Sequence, residues 1–326
     1  MLRIPYDELY QALAGALRRL GFEEDRALLC ARLFAETTLD GVYTHGLNRF
    51  PRFVRMIRAG LIDIHAAPEL VRSHGGLERW NGKCGPGNLN AYQCMDRALT
   101  LAGRHGVGAV ALANTTHWMR GGSYGWQAAE AGFIGVCWTN TLANMPPWGS
   151  AEARLGNNPL VLAVPRPPGH VVLDMALSQF SYGALASYRD RHEALPVDGG
   201  FDSAGRLTRD PAAIEASQRP LPIGYWKGAG LALVLDMIAA MLSGGLATHE
   251  ITEDPEREAS ISQFFLALDP AGLGLDGAAA EIADRIVASI EARYPGQRTL
   301  QLRAENLALG VPVDPAVWRT VQEMDR

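Results

Sequence analysis

The chain has few cysteines, and none of them is spaced for a metal site or a redox pair. Its 326 residues include four, at positions 30, 84, 94 and 137, without a CxxC pair. The eight histidines form no HxH, HxxxH or HExxH pattern, so the sequence predicts no metal site. We expect reduced, mostly buried thiols, as in a cytoplasmic protein.

The chain also lacks long apolar runs and clusters of basic residues. Its longest apolar stretch, Leu231 to Leu242, is interrupted by Asp236 and is shorter than the roughly 20 residues of a membrane-spanning helix. The first residues, Met1 to Pro5, contain no apolar signal region. The formal net charge is −5 and no run is rich in Lys or Arg. We therefore expect neither nucleic acid nor a membrane as a partner.

The glycine pattern of an ordinary dinucleotide-binding turn, G-x-G-x-x-G, is absent as well. Gly85-Pro86-Gly87 is followed by Asn90 where the third glycine belongs, and Gly228-Ala229-Gly230 is followed by Leu233 at that position. Because the third glycine allows close packing of the helix on the strand, neither segment supports a Rossmann site. We expect these glycines to serve turns and helix packing instead.

The chain does contain alternating helical and strand patterns. Leu9, Leu13 and Leu17 share one helical face that ends before Gly21, and a further helix carries Phe53 and ends at Gly60. The spacing predicts other helices at about 24–39, 88–104, 125–131, 178–188, 227–242, 278–293 and 314–324. Apolar runs predict buried strands at about 108–113, 133–138, 160–164, 171–175 and 262–268. This pattern indicates an α/β fold with a helical amino-terminal part.

A short segment, Thr44-His45-Gly46-Leu47-Asn48-Arg49, carries the side chains of a proton-transfer site. Histidine holds or releases a proton near neutral pH. An arginine four residues later can bind a carboxylate through two parallel hydrogen bonds. The combination is suited to an enzyme that protonates a small organic acid. The alternative is an exposed turn histidine without a catalytic role.

Polar residues next to predicted strands and helices are further candidates for binding a substrate or a cofactor. His117, in a segment after a strand, could hydrogen-bond a carbonyl group and Arg120 could bind an anion; the alternative is a structural loop with a solvated arginine. Lys227 begins a helix and opposes its dipole, so it could face a cofactor phosphate or only solvent. Asp174, within an apolar strand, is either a paired structural carboxylate or a site residue.

One segment, Gly121-Gly122-Ser123-Tyr124-Gly125, matches G-x-S-x-G, the nucleophile elbow of serine hydrolases. That elbow requires a strand that runs directly into the serine. Here the predicted strand ends near Ala113, and Asn114 to Arg120 intervene. A serine hydrolase with Ser123 as its nucleophile, and a ligand-binding protein without catalysis, are therefore alternatives to an oxidoreductase.

Together these segments resemble the malate/L-lactate dehydrogenase family that lacks a Rossmann fold. Thr44-His45-Gly46 with Arg49 and Pro51 is similar to its S-H-G-x-x-R-x-P motif, with threonine replacing serine, and Pro222 to Gly228 is similar to its P-x-G-x-K-G motif. The resemblance covers essentially the whole chain. It is strongest to a subgroup that reduces 2,3-diketo sugar acids, through strings at 117–130, 145–149, 180–183 and 196–202.

The resemblance implies a non-Rossmann NAD-binding fold of the α/β class, with a mixed, partly antiparallel sheet flanked by helices. Residues 1–72 with 312–326 would form a helical substrate-binding and dimerisation part. Residues 73–311 would form the cofactor-binding domain, with a long loop excursion at about 190–222. Family members are homodimers with the active site near the subunit interface.

The resemblance also implies roles for individual residues. His45 would be the proton donor, beside Thr44. We expect His117 to contact carbonyl oxygens and Arg49 or Arg120 to hold the substrate carboxylate. The cofactor would contact three segments: His170-Val171-Val172-Leu173-Asp174-Met175-Ala176, Trp226-Lys227 and Gly296-Gln297-Arg298.

The expected reaction is reduction of a 2-keto sugar acid by NADH in the cytoplasm. Hydride would reach the C2 ketone of a 2,3-diketo acid, and His45 would protonate the developing alkoxide. The family carries an acidic residue after Pro-Gly that disfavours a 2′-phosphate, whereas this chain has Gln297 and Arg298, so NADPH is an alternative cofactor. Malate, lactate, ureidoglycolate and cyclic-imine oxidoreduction are alternatives within the family.

Overall fold

The computed structural model describes residues 2–275 and 277–325, which contain eleven α-helices and eleven strands. The helices are α1 Tyr6–Arg19, α2 Glu24–Leu39, α3 Phe50–Arg58, α4 Gly87–His105, α5 Gly122–Glu130, α6 Tyr182–Asp190, α7 Pro211–Ser217, α8 Trp226–Ser243, α9 Ala278–Ser289, α10 Gln297–Leu309 and α11 Pro315–Asp325. The strands are β1 Leu2–Ile4, β2 Glu69–His74, β3 Leu77–Asn81, β4 Val107–Thr116, β5 Ile134–Thr139, β6 Leu160–Val164, β7 Val171–Met175, β8 Gly200–Phe201, β9 Leu207–Thr208, β10 Ala259–Leu268 and β11 Val311–Val313.

Seven strands form one mixed sheet in the order β2-β3-β4-β10-β5-β6-β7. Strands β3 and β4 are parallel, and β10 is inserted antiparallel between β4 and β5. Helices α4 and α5 pack on one face of the sheet and α8 on the other. The mixed, partly antiparallel α/β sheet is confirmed. Strand β7 lies at the edge of this sheet.

The helical amino-terminal part has its own hydrophobic core. Helix α1 buries Leu9, Leu13 and Leu17, and ends just before Gly21, whose φ of +93° lies in the left-handed region that glycine favours. Strand β1 pairs with β11, and α11 adds Trp318 to the same core. The two ends of the chain therefore meet in one cluster.

Several elements differ from the sequence-based expectations. The stretch from 190 to 222 is not a plain loop, because it contains α7 and the β8–β9 pair and buries Leu195 and Ile214 against Leu185. The helix expected at 178–188 begins only at Tyr182. Periodicity missed β2, β3 and α10, since the six residues of β2 are all exposed and give no apolar alternation.

Helix α8 is apolar nearly all round, which predicts burial on every side, and this expectation is wrong for one of its faces. Ala232, Leu235 and Ala239 pack against the sheet, whereas Met237 and Met241 are 52% and 78% exposed. Among the described helices, α8 alone is long and apolar enough to cross a membrane, with a mean hydropathy of 1.4 over 18 residues. Length and composition give weak evidence for a span, because core helices pass the same test.

Candidate active site

The turn after α2 presents His45. Helix α2 ends at Leu39, and the next residues fold into tight turns in which the His45 and Gly46 amides both donate to the carbonyl oxygen of Val42, at 3.1 and 3.0 Å. A Cβ atom at Gly46 would clash with the Thr38 hydroxyl and backbone, so glycine is required here. The turn is thereby fixed to α2.

His45 and His117 form a pair although they lie far apart in sequence. Their ring centroids are 5.8 Å apart with an interplanar angle of 28°. The Thr44 hydroxyl lies 2.9 Å from Nδ1 of His45, and the Met119 amide donates to Nδ1 of His117 at 3.0 Å. Because Nδ1 of His117 is an acceptor, neutral His117 carries its proton on Nε2. That nitrogen is a hydrogen-bond donor for a substrate oxygen.

Positive charge surrounds this histidine pair. Burial lowers the pKa of His45 to about 4, with further lowering by Arg49 and Arg120. Burial and Arg49 also lower the pKa of His117. The pKa of Arg49 is itself lowered to about 10 by burial and by Arg52. The resting site holds neutral histidines beside a guanidinium cation, which favours binding of an anion.

The two arginines predicted to hold a carboxylate differ in their surroundings. Arg120 is only 6% exposed and forms a 2.5 Å ion pair with Asp40. Arg49 forms no ion pair with any carboxylate in the described part of the chain. The nearby Glu256 forms ion pairs with Arg52 and Arg55 instead. Arg49 is therefore the guanidinium left open to an incoming carboxylate.

Two of the three predicted cofactor segments meet along the edge strand β7. The amide of Val172 donates to the carbonyl oxygen of Pro295 at 3.0 Å. Gly296, with a φ of +96°, lies so close to β7 that a Cβ atom there would be 3.1 Å from the Val172 nitrogen. The His170 ring packs edge-on against Trp126, at a centroid distance of 5.9 Å. Gln297 and Arg298 follow as the start of α10.

The third cofactor segment, Trp226-Lys227, lies beyond the end of β7. The amide of Ile223 donates to the carbonyl oxygen of Leu177 at 2.8 Å, which joins the start of α8 to the residues after Ala176. Trp226 is 65% exposed, and Lys227 has no ion pair among the described residues. The three segments thus follow one edge of the sheet, and Gly183 of α6 contacts Thr44 of the histidine turn at the same end.

Asp174 and Ser123 have structural surroundings. The Asp174 carboxylate accepts the amide of Gly122 at 2.8 Å, at the positive start of α5, so of the two interpretations the paired structural carboxylate is the one its contacts support. Ser123 lies inside the first turn of α5 rather than after a strand, and no histidine in the described residues bonds to it. The geometry of a nucleophile elbow is therefore absent there.

Sequence reasoning missed Asp40 and Arg303. Arg303 donates to Oδ1 and Oδ2 of Asp40 at 2.7 and 2.9 Å, and shares Oδ2 with Arg120. The one sequence signal for Asp40 is an acidic residue at a helix carboxyl end, where the helix dipole disfavours negative charge. No group of three or more His, Cys, Asp or Glu side chains in residues 2–275 and 277–325 could hold a metal ion.

Comparison with known proteins identifies the family. Residues 4–322 match the family model described as malate/L-lactate dehydrogenase. The chain belongs to the malate/L-lactate dehydrogenase family. It is therefore an oxidoreductase, and the serine hydrolase and binding-protein alternatives are set aside. A 2,3-diketo-L-gulonate reductase of Citrobacter koseri is 46% identical over 334 aligned positions, which span 99% of this chain and all of the relative.

Solved structures of other family members share the fold. The sulfolactate dehydrogenase of Methanocaldococcus jannaschii has a TM-score of 0.90 at 26% identity, covering 99% of this chain and 96% of that one. The malate dehydrogenase of Entamoeba histolytica has a TM-score of 0.91 at 21% identity, covering 99% and 97%. The similarity confirms the predicted family fold over essentially the whole chain.

Proposed function

We propose that this enzyme reduces a 2-keto sugar acid, with 2,3-diketo-L-gulonate reduced to 3-keto-L-gulonate as the specific reaction. The observation that carries the proposal is the His45–His117 pair beside Arg49, the arginine with no carboxylate partner among the described residues. The full-length similarity to 2,3-diketo-L-gulonate reductases supports the substrate. Malate, lactate, ureidoglycolate or cyclic-imine chemistry is the alternative within the family.

In this proposal each side chain around His45 has one task. Arg49 binds the substrate carboxylate, and the Nε2–H group of His117 donates a hydrogen bond to a carbonyl oxygen of the substrate. Thr44 holds Nδ1 of His45, so that Nε2 is free to give its proton to the oxygen that was the ketone. A bound nicotinamide cofactor supplies the hydride.

The charge balance links substrate binding to proton uptake. His45 is neutral in the resting enzyme at pH 7, because its pKa is about 4. A carboxylate at Arg49 offsets part of the positive charge and raises the pKa of His45 towards neutrality. Above that raised pKa the proton donor is lost, so the turnover number for reduction falls as the pH rises, whereas oxidation uses neutral His45 as a base and increases.

For the cofactor we propose NADH, with NADPH as the alternative. Residues 170–176, 226–227 and 296–298 would hold it along β7, where the absence of a side chain at Gly296 lets the third segment pack closely against the strand. A carboxylate in the third segment would repel a 2′-phosphate, but this chain has Gln297 and Arg298. Arg298 is exposed and therefore accessible to such a phosphate.

We further propose a cytoplasmic homodimer that associates through the exposed face of α8. Helix α8 exposes a set of large apolar side chains: Trp226, Leu233, Val234, Met237 and Met241. Contact of this apolar surface with water is unfavourable in free energy. A second copy would cover it. Because α8 starts at the cofactor segment, the interface would border the active site. The division into residues 1–72 with 312–326 and residues 73–311 is part of this proposal, supported by the separate amino-terminal core.

The test is a spectrophotometric assay of 2,3-diketo-L-gulonate, pyruvate, oxaloacetate and a cyclic imino acid with NADH and NADPH in parallel. We expect the diketo acid to have the highest kcat/KM. His45→Ala should lower kcat by on the order of 10²–10⁴-fold, the size of a lost general acid. His65→Ala, which removes an exposed histidine of another turn, is the control. Full turnover in His45→Ala, or no turnover of any keto acid by the wild type, contradicts the proposal.

A further inference from the structure

A buried carboxylate joins two arginines behind the active site. Asp40 directly follows α2, and its side chain is fully buried. It pairs with Arg120 at 2.5 Å and with Arg303 at 2.7 Å. A carboxylate at this end of a helix is disfavoured by the helix dipole and by burial, so it depends on these partners.

The same network joins the histidine turn to the helix that begins at a cofactor segment. Helix α10 starts at Gln297 and carries Arg303 about 1.7 turns later. Asn306 of α10 donates to the carbonyl oxygen of Leu39 at 2.7 Å. Gly41 leaves room for Leu302, since a Cβ atom there would lie 2.7 Å from its Cδ1. Helix α10 is therefore fixed to the end of α2, six residues before His45.

We propose that Asp40 is a positioning residue, whose carboxylate, shared by Arg120 and Arg303, fixes the charge behind His45 and couples the histidine turn to α10. The inference rests on the proposed function in taking His45 as the proton donor. Asp40 touches neither substrate nor cofactor in this role. It acts through Arg120, which lies three residues after His117 in the loop that places His117 against His45.

The groups that face His45 define the expected direction of change. Arg49 lies on its own turn, and His117 and Arg120 come from the loop after β4. Asp174 of β7 stands beside Arg120, and Glu258 faces Arg49. Without the negative charge of Asp40, Arg120 and Arg303 would lose the counter-ion that they share, and protonation of His45 would become harder. Without Arg303, the carboxylate would offset Arg120 more fully and protonation would become easier.

The test compares Asp40→Asn, Arg303→Leu and Arg303→Lys in the full-length protein. His45 is titrated by NMR through its ring Cε1–H signal, assigned with His45→Ala, without keto acid or cofactor. We expect the titration midpoint to fall in Asp40→Asn, to rise by on the order of one pH unit in Arg303→Leu, and to return to the wild-type value in Arg303→Lys. The pH profile of kcat should move in the same directions.

The control is Glu305→Gln. Glu305 lies on α10, like Arg303, and the change breaks its 3.0 Å ion pair with Arg3 of β1. It should leave the His45 titration unchanged. The proposal is overturned if the His45 midpoint moves in the same direction in Asp40→Asn and Arg303→Leu, or if it stays fixed while thermal stability falls. Either result shows that the network is only structural. If Asp40→Asn does not fold, Arg303→Leu and its rescue by lysine decide the question. The titration needs no turnover, so its result is separate from any failure of the reductase assignment.

Discussion

At the scale of single residues, chemical type does not settle the role of an arginine; its counter-ion does. Arg49 and Arg120 both lie near His45 and both lower its pKa. Arg120 already forms an ion pair with Asp40, and the described residues hold no carboxylate that forms an ion pair with Arg49. A partly buried guanidinium that forms no ion pair gains more from an anionic ligand, because less of its desolvation is offset.

The first residue-scale prediction concerns Arg49→Gln. Loss of a charged hydrogen-bonding group of about 1.5–3 kcal/mol should raise KM for the keto acid roughly 10- to 100-fold. Steady-state kinetics at saturating cofactor measure this change. Arg58→Gln removes an exposed arginine of α3 that has no ion pair among the described residues, and should leave KM as it is. An unchanged KM in Arg49→Gln would assign carboxylate binding to another group.

At the scale of elements, α8 is the helix whose surroundings its own sequence describes least well. It is apolar nearly all round, which predicts a helix buried on every side. One face packs against the sheet through Ala232 and Leu235, and the opposite face is exposed in the single chain. An apolar helix of this kind becomes fully buried only when a partner covers it.

The prediction at this scale is that Met237→Glu with Met241→Glu converts a dimer into a monomer. Two carboxylates buried at a self-complementary interface would lack counter-ions, so association should weaken by at least an order of magnitude. Sedimentation equilibrium of the variant and the wild type measures the effect. Leu273→Glu, a change at a 77%-exposed residue outside α8, serves as the control. A wild type that is monomeric at all concentrations removes the α8 interface.

At the scale of the whole molecule, the proposed cofactor region is formed by segments that are distant in sequence. Residues 171–175 form the edge strand, and residues 295–296 reach it from more than a hundred positions later through the Val172–Pro295 hydrogen bond. Residues 226–227 are brought to the other end of the strand by the Leu177–Ile223 bond. A ligand that spans all three segments should therefore stabilise the whole fold.

Cofactor binding should accordingly raise the thermal unfolding midpoint. A concentration of one hundred times Kd stabilises the native state by about 2.7 kcal/mol. Differential scanning fluorimetry with NADH and NADPH should show this rise, and Arg298→Glu should reduce the NADPH shift while it preserves the NADH shift. Arg319→Glu, a change at an exposed residue of α11, controls for the change in net charge. Equal NADPH shifts in wild type and Arg298→Glu would exclude Arg298 as a phosphate contact.

Local sequence patterns determined much of the secondary structure and the histidine turn. The helix predicted at 24–39 and the strands at 160–164 and 171–175 match the observed bounds. Apolar spacing gives the bounds of these elements, but the burial expected of the strand at 171–175 is wrong, because β7 lies at the sheet edge and only Val172 is buried. The sequence also predicts His45 and Arg49 as candidate site residues, since they lie on one short turn whose chemistry is local.

Only the tertiary structure decided which charges are free and which faces are covered. Asp40 is paired with Arg120, 80 positions away, and with Arg303, 263 positions away. No local pattern encodes those pairs, because the role of a buried charge depends on the counter-ions and solvent that folding places around it. The same reason explains why Arg49 became the candidate carboxylate ligand and why one face of α8 is left exposed.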